Sequence, residues 1–150
     1  MVSLTARHAL RALVELARIE AGKAMLGKDL ANISGIPSNY LSKIMWTLGS
    51  AGLIDATRGS GGGYRLARPA SQIRLIEVID LFDKARVKTA CLLSDERPCS
   101  DSDPCSAHQA WHEVSAAYVQ FLECTTLADI AYHEPVSGTV EGNSQEVGLK

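Results

Sequence analysis

Apolar positions recur along this chain with a helical period, give way once to a short alternating stretch around a glycine cluster, and fade out before the end. Over residues 4–20, Leu4, Ala9, Leu10, Leu13, Val14, Leu16 and Ala17 form one broad stripe. Arg7, Arg11, Glu15 and Arg18 fall off it, as expected of an amphipathic helix with one buried face. Thr5 is placed to cap this helix and Gly22 to end it. Residues 27–34 predict a short second helix, and Gly35-Ile36-Pro37 a turn. Ser38 is a good N-cap for a third helix running to about Ala51, with Tyr40, Leu41, Ile44, Met45 and Leu48 as its buried side and Gly52 closing it. Helix, tight turn and helix in this order predict a helix-turn-helix.

The alternating stretch follows at once. Residues 53–58 are strand-like, Gly59-Ser60-Gly61-Gly62-Gly63 is a tip, and Tyr64-Arg65-Leu66-Ala67 is a return strand stopped by Pro69, which together predict a wing. Helical periodicity resumes over residues 73–83. A loop broken by Pro98 and Pro104 occupies residues 84–105, and a long helix is expected from about Cys105–Ala107 to Ala131, with Trp111, Val114, Tyr118, Phe121, Leu122 and Leu127 along one side. The outer face of such a helix has no partner within so small a domain, which suggests packing against a second copy of the chain. Residues 135–150 are rich in Gly, Ser and Glu without periodicity and are expected to be a disordered tail. The fold class is therefore mainly α with a small β-wing: a winged helix-turn-helix over residues 1–70, and a loop with a long C-terminal dimerisation helix over residues 71–134.

Charge sharpens this division. The net charge of −2 is the sum of two unlike halves: residues 1–70 carry nine Lys and Arg against four acids, and residues 71–150 carry six against thirteen. A basic half beside an acidic one points to a polyanion, double-stranded DNA, as the partner of the first half only. On the third helix Ser38, Asn39, Tyr40, Ser42 and Lys43 are the candidates to reach base edges or phosphates, with Lys28 on the helix before it. Arg58, at the entrance to the tip, is the strongest candidate for a DNA contact in the wing. Gly59 allows close backbone approach, and Arg65 and Arg68 are placed for phosphates. No apolar run approaches the roughly 18 residues that span a bilayer, and charges interrupt any leader-like segment, so no membrane role and a cytoplasmic location are expected.

The acidic loop holds the other chemistry. Cys91, Cys99, Cys105 and His108 lie close in sequence, separated by seven, five and two residues. Under reducing conditions such a group favours metal binding or redox chemistry over structural disulfides. Thiolates suit iron–sulfur clusters and zinc alike, but the close cysteine pairs of structural zinc sites are missing here. A zinc-stabilised winged helix and a metal-free cysteine redox sensor therefore stand beside the cluster reading. An enzyme is not expected: no oxyanion-hole or phosphate-cradling motif accompanies the thiols, and an acidic loop raises thiol pKa. Cys124 reads as a small packing residue, His112 as a helix-surface residue one turn after His108, and His8 and His133 as structural or exposed.

Three stretches carry a resemblance. Thr57 to Pro69, with its Arg-Gly-Ser-Gly-Gly-Gly-Tyr core, resembles the wing of the Rrf-two superfamily of bacterial regulators, which includes repressors of the IscR and NsrR types. Leu4 to Leu13 resembles the family's opening helix, and Ile36 to Ile44 its recognition helix. The similarity spans roughly residues 3–131. It implies a homodimeric winged-helix regulator whose long C-terminal helices cross between subunits. It also implies an iron–sulfur cluster on the three loop cysteines, with a histidine just after the third in IscR-type members. His108 stands at that place, so the resemblance implies a 2Fe–2S cluster on Cys91, Cys99, Cys105 and His108, sensing iron, redox state or nitric oxide. The alternative 4Fe–4S type takes an aspartate from the first helix, where this chain has Arg7. The gap between Cys91 and Cys99 is two residues longer than is typical of the family.

Overall fold

The computed structural model describes residues 2–83, 93 and 99–132. Helix α1 (Leu4–Arg18) is the centre of the molecule, and α2 (Gly27–Ser34), α3 (Ser38–Ser50), α4 (Leu75–Asp83) and α6 (Leu127–Ala131) all pack against it. Its buried side is made largely of alanine. Ala6, Ala9, Ala12 and Ala17 are inaccessible or nearly so, which lets neighbouring helices approach closely, and Leu13 and Leu16 fill the spaces between them. The N-cap is Ser3 and not Thr5: the Ser3 hydroxyl accepts the Ala6 N–H at 3.2 Å. Thr5 lies within the first turn and turns its hydroxyl to that of Tyr40. The helix ends at Arg18, two residues before the expected limit, because Ile19 is already extended.

Helix α2 keeps its expected bounds, and Gly35 follows in the left-handed conformation (φ 67°), which a residue with a side chain adopts only at a cost. Helix α3 begins at Ser38, so that Pro37 and not Ser38 occupies the cap position. Pro37, with φ of −55°, is already bent for the first turn. Strands β1 (Ile54–Thr57) and β2 (Gly63–Leu66) pair antiparallel, with Ile54 opposite Leu66 and Thr57 opposite Gly63. A short 3-10 turn, Ala70–Gln72, then leads into α4.

The expected single long helix is two helices. Helix α5 (His108–Cys124) stops at Thr125, and α6 starts again at Leu127. The reason is a capping box: the Thr126 hydroxyl accepts the Asp129 N–H, and the Asp129 carboxylate accepts the Thr126 N–H at 2.7 Å. The break is fastened from outside as well. Leu75 N–H donates to Thr125 O at 3.0 Å, and Leu127 N–H donates to Ile73 O at 2.7 Å, so residues 73–75 and 125–127 run together like two short strands. The turn directs α6 onto α1, where the Arg18 Nε–H reaches Ala131 O at 3.1 Å and the Tyr132 hydroxyl donates to Ala17 O. The apolar side expected on the long helix also divides. Leu122 is buried, with Tyr118 packed beside it against Leu75, Ile76 and Ile79, while Val114 and Phe121 are more than half exposed. The expected tail, residues 135–150, lies outside the described residues.

Asp129 ionises more readily than an ordinary aspartate, first because of the Thr126 backbone N–H and then because of the Thr126 hydroxyl. A carboxyl with a lowered folded-state pKa stabilises above the unfolded value of about 4, and that contribution disappears as pH falls through the lowered value. Thr126→Ala is expected to cost about 1 kcal/mol at neutral pH and to flatten the loss of stability below about pH 4. Thermal melts from pH 7 to pH 3 test this, and an unchanged melting temperature at pH 7 rules the cap out as a stabilising element.

Candidate functional site

The helix-turn-helix is held by backbone geometry around a three-residue turn. Ile36, buried in the core, donates its N–H to Ala31 O at 3.0 Å. Arg11 of α1 sends Nη1 to Ser34 O at 3.2 Å and so closes the C-terminal end of α2. Leu41, Ile44, Met45 and Leu48 anchor one side of α3 in the core. The opposite side exposes Asn39, Ser42, Lys43, Trp46 and Ser50, and Ser38 is exposed at the N-terminus. Lys28 is exposed on the first turn of α2. Tyr40 is placed differently: its ring lies edge-on to His8 (centroids 5.6 Å apart), and its hydroxyl meets Thr5, so it braces α3 against α1. Trp46 is the residue of this face that sequence reasoning passed over. Its signal was its spacing of seven from Asn39 and four from Ser42.

The wing is joined to the helix-turn-helix by a second pairing. Met25 N–H donates to Tyr64 O at 2.9 Å, and Tyr64 N–H to Met25 O at 2.8 Å. The glycines are required here. Gly63 has φ of 137°, and a Cβ there would lie 2.3 Å from Met25 O; one on Gly62 would lie 2.5 Å from Thr57 O. At the tip Arg58 is exposed and has no ion-pair partner among the described residues. Arg65, opposite Asp55 in the ladder, pairs with its carboxylate at 3.5 Å. Arg68 pairs with Glu77. Burial works against ionisation of Glu77, but the Arg74 N–H at 3.0 Å and the Arg68 guanidinium outweigh it and hold the carboxyl below its usual range.

Of the four expected ligands, three are described. Cys99 Sγ lies 3.0 Å from His108 Nδ1, and Cys105 N–H points at the same sulfur at 3.3 Å. His108 opens α5, where its N–H donates to Cys105 O at 3.0 Å, and its Nε2 lies 2.9 Å from Asp101 Oδ1. The imidazole is thus held from both nitrogens. His112 stacks loosely on it one turn later, the ring centroids 6.2 Å apart. An open cleft of about 310 Å³, lined by Cys99, Asp101, His108, Trp111 and His112, lies beside the contact. Cys91 lies outside the described residues, and no group of three metal-ligating side chains converges among the described ones. The donor chemistry fits a soft metal centre: a thiol and an imidazole already in contact, with an amide N–H on the sulfur. Cys124 is exposed at the end of α5, not packed away as its sequence context suggested.

The profile of the Rrf2 family, described as an iron-dependent transcriptional regulator, matches residues 2–133. The chain belongs to that family. This Rrf2 protein is 33% identical over 131 residues to the HTH-type transcriptional regulator IscR of Escherichia coli, covering 87% of this chain and 79% of that one. Among solved structures it is similar to the oxidized form of Staphylococcus aureus CymR (27% identity, TM-score 0.72, covering 90% of this chain and 98% of that one). It is also similar to T. potens IscR (25% identity, TM-score 0.67, covering 87% and 85%). It is therefore a DNA-binding transcriptional regulator with a winged-helix fold, and not an enzyme.

In this Rrf2 regulator the wing pairing depends on the missing side chain at residue 63. Gly63→Ala is expected to cost more than about 1 kcal/mol and to release the Met25 and Tyr64 amides to solvent exchange. Amide hydrogen exchange at those two positions checks it, and wild-type protection in the variant overturns it.

Proposed function

We propose that this chain is a homodimeric regulator whose grip on its operator is controlled by an iron–sulfur cluster. The ligands are Cys91, Cys99, Cys105 and His108, and the cluster is of the 2Fe–2S type. The observation that carries the reading is the Cys99–His108 contact, formed where the acidic loop meets the start of α5. The iron-dependent description of the family favours iron over zinc. When bound, the cluster supplies sensitivity to iron supply, redox state or nitric oxide.

The chain's own residues do the rest. His108 and Cys99 tie the loop to α5, and Asp101 orients the imidazole. Residues 71–134 act as the sensing and dimerisation part, with the exposed Val114 and Phe121 of α5 meeting a second copy. Residues 1–70 act as the DNA-binding part. Its contacts are Lys28, Ser38, Asn39, Ser42 and Lys43 on the helices, and Arg58, Gly59 and Arg65 in the wing; Tyr40 serves by bracing α3. Two such domains must present their recognition helices about 34–36 Å apart to a two-fold operator, so a small change in their separation removes half of the contacts.

A metal-free cysteine sensor is the second reading. It is favoured by the likeness to a regulator solved in an oxidized form.

Purification without air, followed by an absorption spectrum and iron and sulfide analysis, separates the two. The expected result is a coloured protein with iron and sulfide in equal amounts, altered in spectrum by His108→Ala, whose operator affinity changes when the cluster is removed. Colourless protein without iron that still responds to oxidants gives the second reading instead. In the wing, Arg58→Ala is expected to weaken operator binding roughly five- to tenfold at 0.1 M salt and to lower the salt slope by about one. Arg65→Ala should cost less, because Asp55 already holds that guanidinium. Equal losses in the two variants refute this ordering.

A further inference from the structure

The most exposed large apolar side chain among the described residues is Trp46, at 74%. Leaving an indole in water forgoes one of the larger burial gains available to any side chain. Its position is not accidental to the fold. The anchored side of α3 (Leu41, Ile44, Met45, Leu48) fixes the rotation of the helix, and that rotation puts Trp46 in the middle of the outward stripe with Asn39, Ser42, Lys43 and Ser50. Trp46 is two turns beyond Asn39 on this stripe.

The rest of the stripe defines what Trp46 would meet. No acidic residue occurs anywhere in α3, so nothing on the helix repels a phosphate backbone. The hydroxyls of Ser42, Thr47 and Ser50 each donate back into the helix, to Ser38 O at 2.9 Å, Lys43 O at 3.2 Å and Trp46 O at 2.9 Å. With those donors committed, the second half of the face offers little that reads a base by donating a hydrogen bond. What it offers is a flat apolar surface beside one cation, Lys43. The eight-residue rise from Ser38 to Trp46 is about 12 Å. With α3 lying in the major groove, Trp46 faces base edges further along it than those met by the first turn.

We propose that Trp46 is a specificity-determining residue of this regulator, packing its indole on the C5-methyl group of an operator thymine. The major groove displays that methyl, and it is the one base-edge feature read by apolar contact and not by hydrogen bonding. The inference rests on the reading of α3 as the recognition helix. It adds an apolar determinant to a face otherwise supplied with polar and cationic ones.

The test uses the full-length protein and an operator selected by it from a random duplex library. Thymines in the selected site are replaced one at a time by deoxyuridine, which removes only the methyl group. At one position the wild-type affinity is expected to fall about three- to fivefold, from the loss of one buried methyl. Trp46→Ala is expected to bind the intact site at least tenfold more weakly with an unchanged salt slope, and to be indifferent to deoxyuridine at that same position. Irradiating a duplex with 5-bromouracil there should crosslink the tryptic fragment spanning residues 44–58. A flat deoxyuridine scan with the wild type, or a Trp46→Ala variant that still feels the same methyl, overturns the proposal. Circular dichroism melts confirm that the variant is folded, and Lys43→Ala separates the two failures. If Lys43→Ala abolishes binding while Trp46→Ala does not alter it, α3 is the recognition helix and Trp46 is a bystander. If neither substitution matters, the assignment of α3 itself fails, and the proposal fails with it.

Discussion

Two backbone hydrogen bonds, between Leu75 and Thr125 and between Leu127 and Ile73, fix how the two ends of this molecule are joined. They hold the turn between α5 and α6 against the segment that leaves the wing, and they force the chain back onto α1. They give the bend in the apolar run through Leu122, Leu127 and Ile130 its direction, which carries α6 to the alanine side of α1. The capping box at Thr126 makes the bend locally favourable, and the paired segments place it. The result is one buried core that takes in Ala9 and Leu13 of the first helix together with Leu127 and Ala131 of the last.

Electrostatics in the wing are organised by pairing. Four basic residues lie between the tip and the start of α4, and two of them are matched: Arg65 by Asp55 across the ladder, and Arg68 by Glu77. These exposed pairs add little to stability. Their effect is to concentrate the uncompensated charge of the wing at Arg58, on the glycine tip. On α3 the braces are of another kind. Tyr40 and Thr5 join hydroxyl to hydroxyl, and the His8 ring supports the tyrosine edge, so α3 takes its orientation from α1.

The parts of the fold legible in the sequence were those with strong punctuation. Helix α2 kept its bounds, because Gly35 and Pro37 mark its end unambiguously, and the wing was visible because no other element accommodates four glycines in five residues. The break at Thr125 was missed because a helical apolar period continues across it. The pattern Thr126-Leu-Ala-Asp129 was nevertheless a capping signal within that period. Ser3 and Thr5 are both good caps by residue type, and sequence does not show that Ser3 takes the Ala6 N–H while Thr5 turns to Tyr40. At the cysteines, spacing identified the neighbourhood of Cys99, Cys105 and His108. It carried no information on which atoms touch, since loop geometry is set by hydrogen bonds such as Cys105 N–H to sulfur and not by periodicity. Cys91 falls outside the described residues, and its geometry was equally beyond the reach of spacing.

Helix α5 contains 17 residues and is about 25 Å long. It is fastened at Thr125 and carries His108 at the other extremity. For a rod of that length, a tilt of roughly 5° about the fastened end sweeps the far end through about 2 Å. That distance is more than the difference between a formed and a lost hydrogen bond. A small change in the inclination of this rod is therefore felt most at its His108 end, where the imidazole meets the Cys99 sulfur.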